Sequence, residues 1–227
     1  MRTILLSFVL LLTVGPAIAL EKPDLDARVL SLTAKFEELQ QDPGKRIPAD
    51  VLRKARAIIL LDRTKAGFLF AYQGGSGVAI AKNPRTGKWS PVAFLAANEA
   101  SLGFQIGAEQ NFFAIVLMSD SAPRFLTDPN FEFGGEARGT AGDNSSGAGG
   151  TISDTERPVL VYSSRNGLYG GAALKGGSIA PDEAANRIYY GQVLSMSDIL
   201  FDKKVPRTDA AKHLADKIAF YSKSSKP

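Results

Sequence analysis

Apolar residues recur at helical spacing soon after residue 20. They follow one another at intervals of four, three, four and three: Leu25, Val29, Leu32, Phe36 and Leu39. This period is typical of one face of an α-helix, and acidic residues before it and Asp42-Pro43-Gly44 after it mark the ends. The pattern predicts an amphipathic helix that either packs on the core of its domain or lies at a membrane interface.

Strand patterns dominate residues 57–118. Ile58 to Leu61 form a continuous apolar run, and Phe68 to Tyr72 alternate before the glycines at 74, 75 and 77, where we expect a close turn or bulge. Further strands are predicted at Val78 to Ala81, Leu102 to Glu109 and Phe112 to Met118, which together suggest an antiparallel meander. Gly103 and Gly107 share one face of their strand and favour strong curvature.

Shorter patterns complete the chain. A helix is predicted from Pro48 through Arg56, and a short one from Ser121 to Leu126. A strand begins at Phe131, a hairpin joins Pro158–Ser163 to Leu168–Leu174, and residues 139–150 have the composition of a loop. Helical patterns return at Pro181–Gly191, at Ser195–Phe201 and after Thr208. The fold class that follows is α+β, with a curved, antiparallel, barrel-like sheet flanked by N-terminal and C-terminal helices.

The first 19 residues have the composition of a signal peptide. Arg2 is followed by an apolar run from Ile4 to Val14 and by the small-x-small sequence Ala17-Ile18-Ala19, so we expect a mature chain that begins at Leu20. An uncleaved membrane anchor is the alternative. The expected location is the periplasm or cell envelope, with peripheral membrane association. Because there is no Cys, a lipoprotein anchor and structural disulfides are excluded.

Domain organisation follows from length and composition. The chain has 227 residues, of which 44% are hydrophobic and 22% charged, as expected for one domain with an ordinary core. We expect an amphipathic helix and linker at 20–44, a single domain at 45–222 and a tail at 223–227.

Charge is mildly basic and locally concentrated. The formal net charge is +4, well short of a typical nucleic-acid-binding protein, and loss of Arg2 with the signal would lower it by one. Arg53, Lys54 and Arg56 fan across one side of the second predicted helix, close to Lys45 and Arg46. This basic face is either a solvated surface or a site for anionic headgroups.

The residues give little support for catalysis. The single His, His213, is expected on the surface of the last helix, which argues against a Ser-His nucleophile, and zinc sites of the Cys and His kind are excluded. Asp128, Glu132 and Glu136 lack a calcium-loop pattern, so surface charge is the default interpretation. We therefore expect no enzyme activity, no metal and no cofactor. Trp89 and Tyr169 could contact a partner or pack in the core.

A series of short motifs then occurs in an order that resembles the SYLF domain family, over roughly residues 45–201. They are Pro48-x-x-Val51-Leu52-x-x-Ala55, Lys65-Ala66-Gly67-Phe68, Gly75-Ser76-Gly77-Val78, Trp89-Ser90-Pro91, Gly103-Phe104-Gln105-Ile106-Gly107, Tyr162-Ser163, Asn166-Gly167-Leu168-Tyr169-Gly170-Gly171 and Asn186-x-x-Tyr189-Tyr190-Gly191. The resemblance implies a lipid-binding module without catalytic residues. In the family, binding to phosphoinositides combines a basic surface with an N-terminal amphipathic helix, and some members bind actin filaments.

Carried onto this sequence, the resemblance implies two sets of site residues. The expected lipid-binding cations are Arg28, Lys35, Arg46, Arg53, Lys54 and Arg56. The expected membrane-inserting residues are Leu25, Val29, Leu32 and Phe36. We expect an anionic phospholipid membrane, phosphoinositide-type, as the ligand, and neither nucleic acid nor, for an exported chain, actin. The alternative is an exported scaffold domain that binds a protein partner and no lipid.

Overall fold

The computed structural model describes residues 20–63, 74–98, 111–127, 132–133, 159–165, 167–169 and 177–223. The signal-peptide prediction at 1–19, the predicted strands at 68–72 and 102–109 and the predicted loop at 139–150 lie outside these ranges.

The helices coincide closely with the helical patterns of the sequence. They are α1 (Lys22–Gln41), α2 (Ala49–Lys54), α3 (Glu183–Tyr190), α4 (Met196–Leu200) and α5 (Asp209–Lys223), with a 3-10 helix at Ala122–Thr127. Local capping explains several ends: the Thr208 hydroxyl accepts a hydrogen bond from Ala211 N, and Gly191 ends α3 with a φ of 68°. Among the described helices, none combines the length and hydrophobicity required to cross a bilayer.

The described strands form one antiparallel sheet. Their bounds are β1 (Ala57–Arg63), β2 (Gly74–Ala81), β3 (Ala93–Asn98), β4 (Asn111–Leu117), β5 (Glu132–Phe133), β6 (Val159–Ser163), β7 (Gly167–Tyr169) and β8 (Gly177–Pro181). The spatial order is β5-β8-β3-β2-β1-β4-β6-β7. In this part of the chain the sheet has β5 and β7 at opposite edges and does not close on itself, so the α+β prediction is confirmed with an open sheet.

Two local predictions about the sheet are wrong. The meander stops at β3, because β4 pairs with the other side of β1. The glycines at 74–77 form no turn: β2 continues through them, and Gly77 lies opposite Leu61 in the ladder with β1. A Cβ at Gly77 would lie 2.6 Å from the Leu60 carbonyl oxygen, so close backbone approach explains this glycine.

Helices cover both faces of the sheet, which explains why its central strands are apolar on both faces. Ile58 and Leu60 point to the face covered by α1, α2, α3 and α5, whereas Ile59 and Leu61 point to the face covered by α4 and the 3-10 helix. All four side chains are fully buried. This layered arrangement leaves charged residues at the ends of the strands and on the outer surfaces of the helices.

Candidate functional site

Three of the six predicted lipid-binding cations are free to meet a ligand. Arg46 lies on the turn after α1, and Arg53 and Lys54 lie in the last turn of α2. All three are exposed, and within the described ranges none of them forms an ion pair. We call these three residues the basic surface.

The other three predicted cations form ion pairs within the protein. Arg28 Nη1 lies 3.7 Å from Asp182 Oδ2, and its guanidinium lies 5.9 Å from the centre of the Phe94 ring. Lys35 pairs with Asp62. Arg56 Nε lies 2.7 Å from Asp120 Oδ1, although a third of its side chain stays exposed. The structure therefore gives Arg28 and Lys35 a role in holding α1 on the sheet.

The four predicted membrane-inserting residues, Leu25, Val29, Leu32 and Phe36, are buried in the core, with at most 2% of each side chain exposed. Phe36 packs edge-on against Tyr221 of α5, with ring centres 5.9 Å apart. The sequence left open whether this helix packs on the core or lies at a membrane interface, and in the structure it packs on the core. Their insertion into a membrane would require α1 to leave the sheet and α5.

A large basic cleft opens beside the basic surface. It has a volume of about 960 Å³ and lies between the turn after β2, the 3-10 helix and the C-terminal end of α4. Among the residues that the structure describes, five cations line it: Arg56, Lys82, Arg85, Arg124 and Lys203. Two carboxylates, Asp120 and Asp202, also line it. We call these five cations and their walls the basic cleft, and its charge balance favours an anionic ligand.

Lys82 connects the basic cleft to the basic surface. Its Nζ donates a hydrogen bond of 2.9 Å to the carbonyl of Arg53 and lies 4.8 Å from the centre of the Trp89 ring. Burial, and then the nearby positive charge of Arg56, lowers the pKa of the Lys82 ammonium. An anion bound in the cleft would offset both effects.

Local structure fixes the other cleft cations. The Asn83 side chain accepts hydrogen bonds of 3.0 Å from the backbone N of Arg85 and of Thr86, which holds the turn that carries Arg85. Across the cleft, Asp198 caps the start of α4 through Ser195 N, and its hydrogen bond to Lys204 lowers its pKa to about 2. This anchors the turn that contains Lys203.

Sequence reasoning missed Lys82, Arg85, Arg124 and Lys203 as site residues. They belong to three segments, the turn after β2, the 3-10 helix and the turn after α4, which are distant in the chain and adjoin only in the folded domain. The short helix predicted from Ser121 to Leu126 occurs as the 3-10 helix that carries Arg124, so part of the signal is present in the sequence. What the sequence lacks is the pairing that sets the segments side by side.

A smaller pocket of about 210 Å³ adjoins the basic cleft. Its apolar wall is formed by Trp89, Pro91, Leu200, Phe201 and Val205. We call it the Trp89 pocket. Trp89 itself is 9% exposed and so belongs chiefly to the core, whereas the side chain of Tyr169 lies outside the described residues.

Asn186, Tyr189 and Tyr190, from the last of the family-like motifs in the sequence, each make structural hydrogen bonds. Asn186 is buried, and its side chain accepts from Phe94 N at 2.8 Å and donates to Phe94 O at 3.0 Å. The Tyr189 hydroxyl donates to Asp26, and the Tyr190 hydroxyl donates to the Val92 carbonyl. Burial is the main reason that the pKa of each tyrosine is raised. These residues tie α3 to β3 and α1, and they suggest no chemistry.

His213 is exposed on α5, as predicted from the sequence. Among the described residues no group of three or more His, Asp or Glu side chains is arranged to hold a metal ion.

Comparisons with a family model and with individual proteins both find YSC84-related proteins. A family model described as "Ysc84: Las17-binding protein actin regulator" matches residues 98–221. The human SH3 domain-containing YSC84-like protein 1 is 31% identical over 191 residues, which cover 82% of this chain and 55% of the human protein. Its Xenopus laevis counterpart is 34% identical over 173 residues, covering 74% of this chain and 51% of that protein. Protein YSC84 of Saccharomyces cerevisiae is 32% identical over 165 residues, covering 70% of this chain and 35% of the yeast protein. The chain thus spans about half the length of the vertebrate relatives and a third of the yeast one.

Proposed function

We propose that this chain, which belongs to the Ysc84 (SYLF) family, is a non-enzymatic domain that binds anionic phospholipid surfaces through its basic surface. The observation that carries this proposal is the position of Arg46, Arg53 and Lys54. They are exposed and, among the described residues, unpaired, and they lie beside a cleft of the same sign. Phosphoinositide-type headgroups are the expected class, because each carries several negative charges.

Electrostatic attraction sets the strength that we expect of this contact. A Lys or Arg near an anionic membrane contributes about 1 kcal/mol, and the contribution decays within one Debye length, about 10 Å at 0.1 M salt. The three cations of the basic surface together supply roughly 3 kcal/mol by this measure. We therefore expect binding that depends on anionic lipid and weakens with salt.

Helix α1 stays packed in this proposal. Uncovering Leu25, Val29, Leu32 and Phe36 would expose core side chains that each contribute about 1.5–3 kcal/mol to folding. Insertion of α1 remains a prediction of the sequence that the proposed electrostatic contact does not require. Export also remains a prediction, and it would make an envelope lipid surface the place where the domain acts.

Co-sedimentation with vesicles tests the proposal. The purified protein is mixed with vesicles of neutral lipid alone and with vesicles that also contain anionic lipid, at low and at high salt. We expect sedimentation only with anionic lipid and at low salt. Changing both Arg53 and Lys54 to Gln removes about 2 kcal/mol and should weaken binding roughly 30-fold.

A charge-matched control separates this surface from general basicity. Arg187 on α3 and Lys212 on α5 are also exposed, so the Arg187→Gln, Lys212→Gln double variant loses the same two residue types. It should bind nearly as tightly as the unmodified chain. Equal weakening by both double variants, or no binding to any anionic vesicle, would overturn the proposal.

A protein-binding domain is the second candidate. The matching family model is named for Las17 binding and actin regulation, and its relatives carry YSC84 names, so protein partners are a reasonable proposal for this chain too. The observation in this structure that favours it is the Trp89 pocket, whose apolar wall a flat lipid surface cannot fill.

A further inference from the structure

The basic cleft and the Trp89 pocket adjoin each other, and together we call them the groove. Both are lined by Asn83, Leu200, Phe201 and Lys203. Side chains of the turn after β2 and of α4 thus line both volumes. A ligand long enough to occupy both would contact charged side chains in the cleft and apolar side chains in the pocket.

The first part of the groove attracts negative charge. In the described part of the chain its five cations exceed its two carboxylates. Asp120 is already paired with Arg56, and Asp202 accepts a hydrogen bond from Ser197 Oγ at 3.1 Å. Lys88 and Arg207 continue the basic lining around the Trp89 pocket. Several carboxylates spaced along a chain would match this distribution better than a single compact anion.

The second part of the groove has the size of one side chain. Its volume of about 210 Å³ is comparable to the roughly 150 Å³ apolar cavities that hold a benzene molecule. An aromatic or branched side chain fits such a space. A lipid acyl chain does not, because it extends over half of a bilayer core about 30 Å thick.

The walls of the groove are held by internal hydrogen bonds. The Ser90 hydroxyl accepts from Ala81 N at 3.0 Å and donates to the Pro91 carbonyl at 2.6 Å, which fixes the segment next to Trp89. The Lys82 ammonium lies over the Trp89 ring, 4.8 Å from its centre. A preformed groove of this kind loses little conformational entropy when it is filled.

We propose that the basic cleft and the Trp89 pocket together bind an acidic segment of a protein partner, with carboxylates against the cleft cations and one apolar side chain in the pocket. Charge complementarity and the size of the pocket define this occupant. The inference deepens the protein-binding candidate, and it is independent of vesicle binding through the basic surface.

Fluorescence anisotropy with a synthetic peptide tests the inference. The probe is a fluorescein-labelled peptide of alternating Glu and Asp with one central Phe. We expect saturable binding at low ionic strength. Replacing the Phe of the peptide by Ser, or its carboxylates by amides, should each weaken binding about tenfold or more.

Variants of the protein locate the binding. Arg85 and Arg124 are exposed, so the Arg85→Gln, Arg124→Gln variant should fold and lose about tenfold in peptide affinity. Phe201→Ser should abolish the preference for the Phe peptide over the Ser peptide. The Arg187→Gln, Lys212→Gln variant, whose charges line neither the basic cleft nor the Trp89 pocket, should bind the peptide as the unmodified chain does.

The outcomes separate the two proposals. Equal affinity for the acidic and the amidated peptide, or no effect of the Arg85 and Arg124 changes, would overturn the peptide inference whatever the vesicles show. Loss of vesicle binding in the Arg85→Gln, Arg124→Gln variant, without saturable peptide binding, would also overturn it, because the cleft would then belong to the lipid-binding surface.

Discussion

Gly77 shows how one residue without a side chain permits the central strand pairing. Its backbone lies against that of β1, and a Cβ there would lie 2.6 Å from the Leu60 carbonyl oxygen and 3.0 Å from Leu61 Cδ1. Backbone atoms in the middle of a sheet cannot move aside without disturbing several hydrogen bonds. The sequence showed the glycine but not its neighbour across the ladder, so a turn was the natural prediction.

We therefore expect Gly77→Ala to lower the free energy of unfolding by about 1–3 kcal/mol, as overpacking of a tight site usually does. Gly44→Ala is the matched control, since its nearest contact would be Asp42 Oδ1 at 3.4 Å. Urea denaturation measures both variants. Equal free energies of unfolding for the two variants would contradict the prediction, because they would show that the sheet accommodates a Cβ at Gly77 without cost.

The sequence does not reveal which of the predicted lipid-binding cations form ion pairs within the protein. Lys35 and Arg56 are indistinguishable in sequence from solvated or lipid-binding residues, yet they pair with Asp62 and Asp120 on other segments. Arg46, Arg53 and Lys54 could be selected only after those pairings were known. The basic helix was thus predictable as an element, and the identity of its free charges was not.

At the scale of elements, α1 is the helix whose role the sequence left open. Phe36 is fully buried, whereas Leu30 on the opposite side is 46% exposed. We expect Phe36→Ala to lower the free energy of unfolding by about 3–5 kcal/mol, because it leaves a cavity under α1. Leu30→Ala should change it by less than about 0.5 kcal/mol. Thermal and urea denaturation distinguish the two, and similar small effects would show that α1 is not part of the stable core.

Tyr189 joins three helices, because its hydroxyl lies 2.6 Å from both Asp26 of α1 and Thr208 before α5. Burial raises the pKa of Tyr189, with a further contribution from its hydrogen bond to Asp26, and burial raises that of Tyr190 as well. A raised tyrosine pKa stabilises the folded protein fully below the unfolded value of about 10, and this stabilisation is lost as pH rises above it.

The unmodified chain should therefore lose stability steadily from about pH 10 upward. Tyr189→Phe should be less stable at neutral pH by roughly 1–2 kcal/mol, through its lost hydrogen bonds, and should show a shallower decline above pH 10. Urea midpoints measured from pH 7 to alkaline pH report both quantities. Parallel declines in the two proteins would contradict this account.

Helices and strands were largely predictable because their patterns are local. The spacing of Leu25 to Leu39 predicts α1, and Thr208 marks the start of α5, since both signals lie within a few residues of their effect. Strand neighbours are different: β4 and β8 were not assigned to β1 and β3. Which strands become neighbours depends on which apolar faces the helices cover, and this cannot be predicted from a local sequence pattern.

The whole molecule is organised around β1, which has a strand on each side and helices on each face. We expect the amides of Ile58 to Leu61 to exchange with solvent more slowly than those of any other described strand, because they open only with global unfolding. Strand β7, at an edge, should exchange much faster. Hydrogen exchange followed by mass spectrometry measures this order, and equal rates in β1 and β7 would contradict it.

The contact between the first and last described helices also has a consequence for biosynthesis. Phe36 of α1 packs against Tyr221 of α5, and α1 also contacts α3 through Asp26 and Tyr189, which lie 163 residues apart. Closing contacts of such long range is slow, and domains fold as units once their parts are present. During translation the apolar stripe of α1 therefore leaves the ribosome long before α5 exists to cover it, and the nascent chain carries an uncovered hydrophobic helix until its last helix has been made.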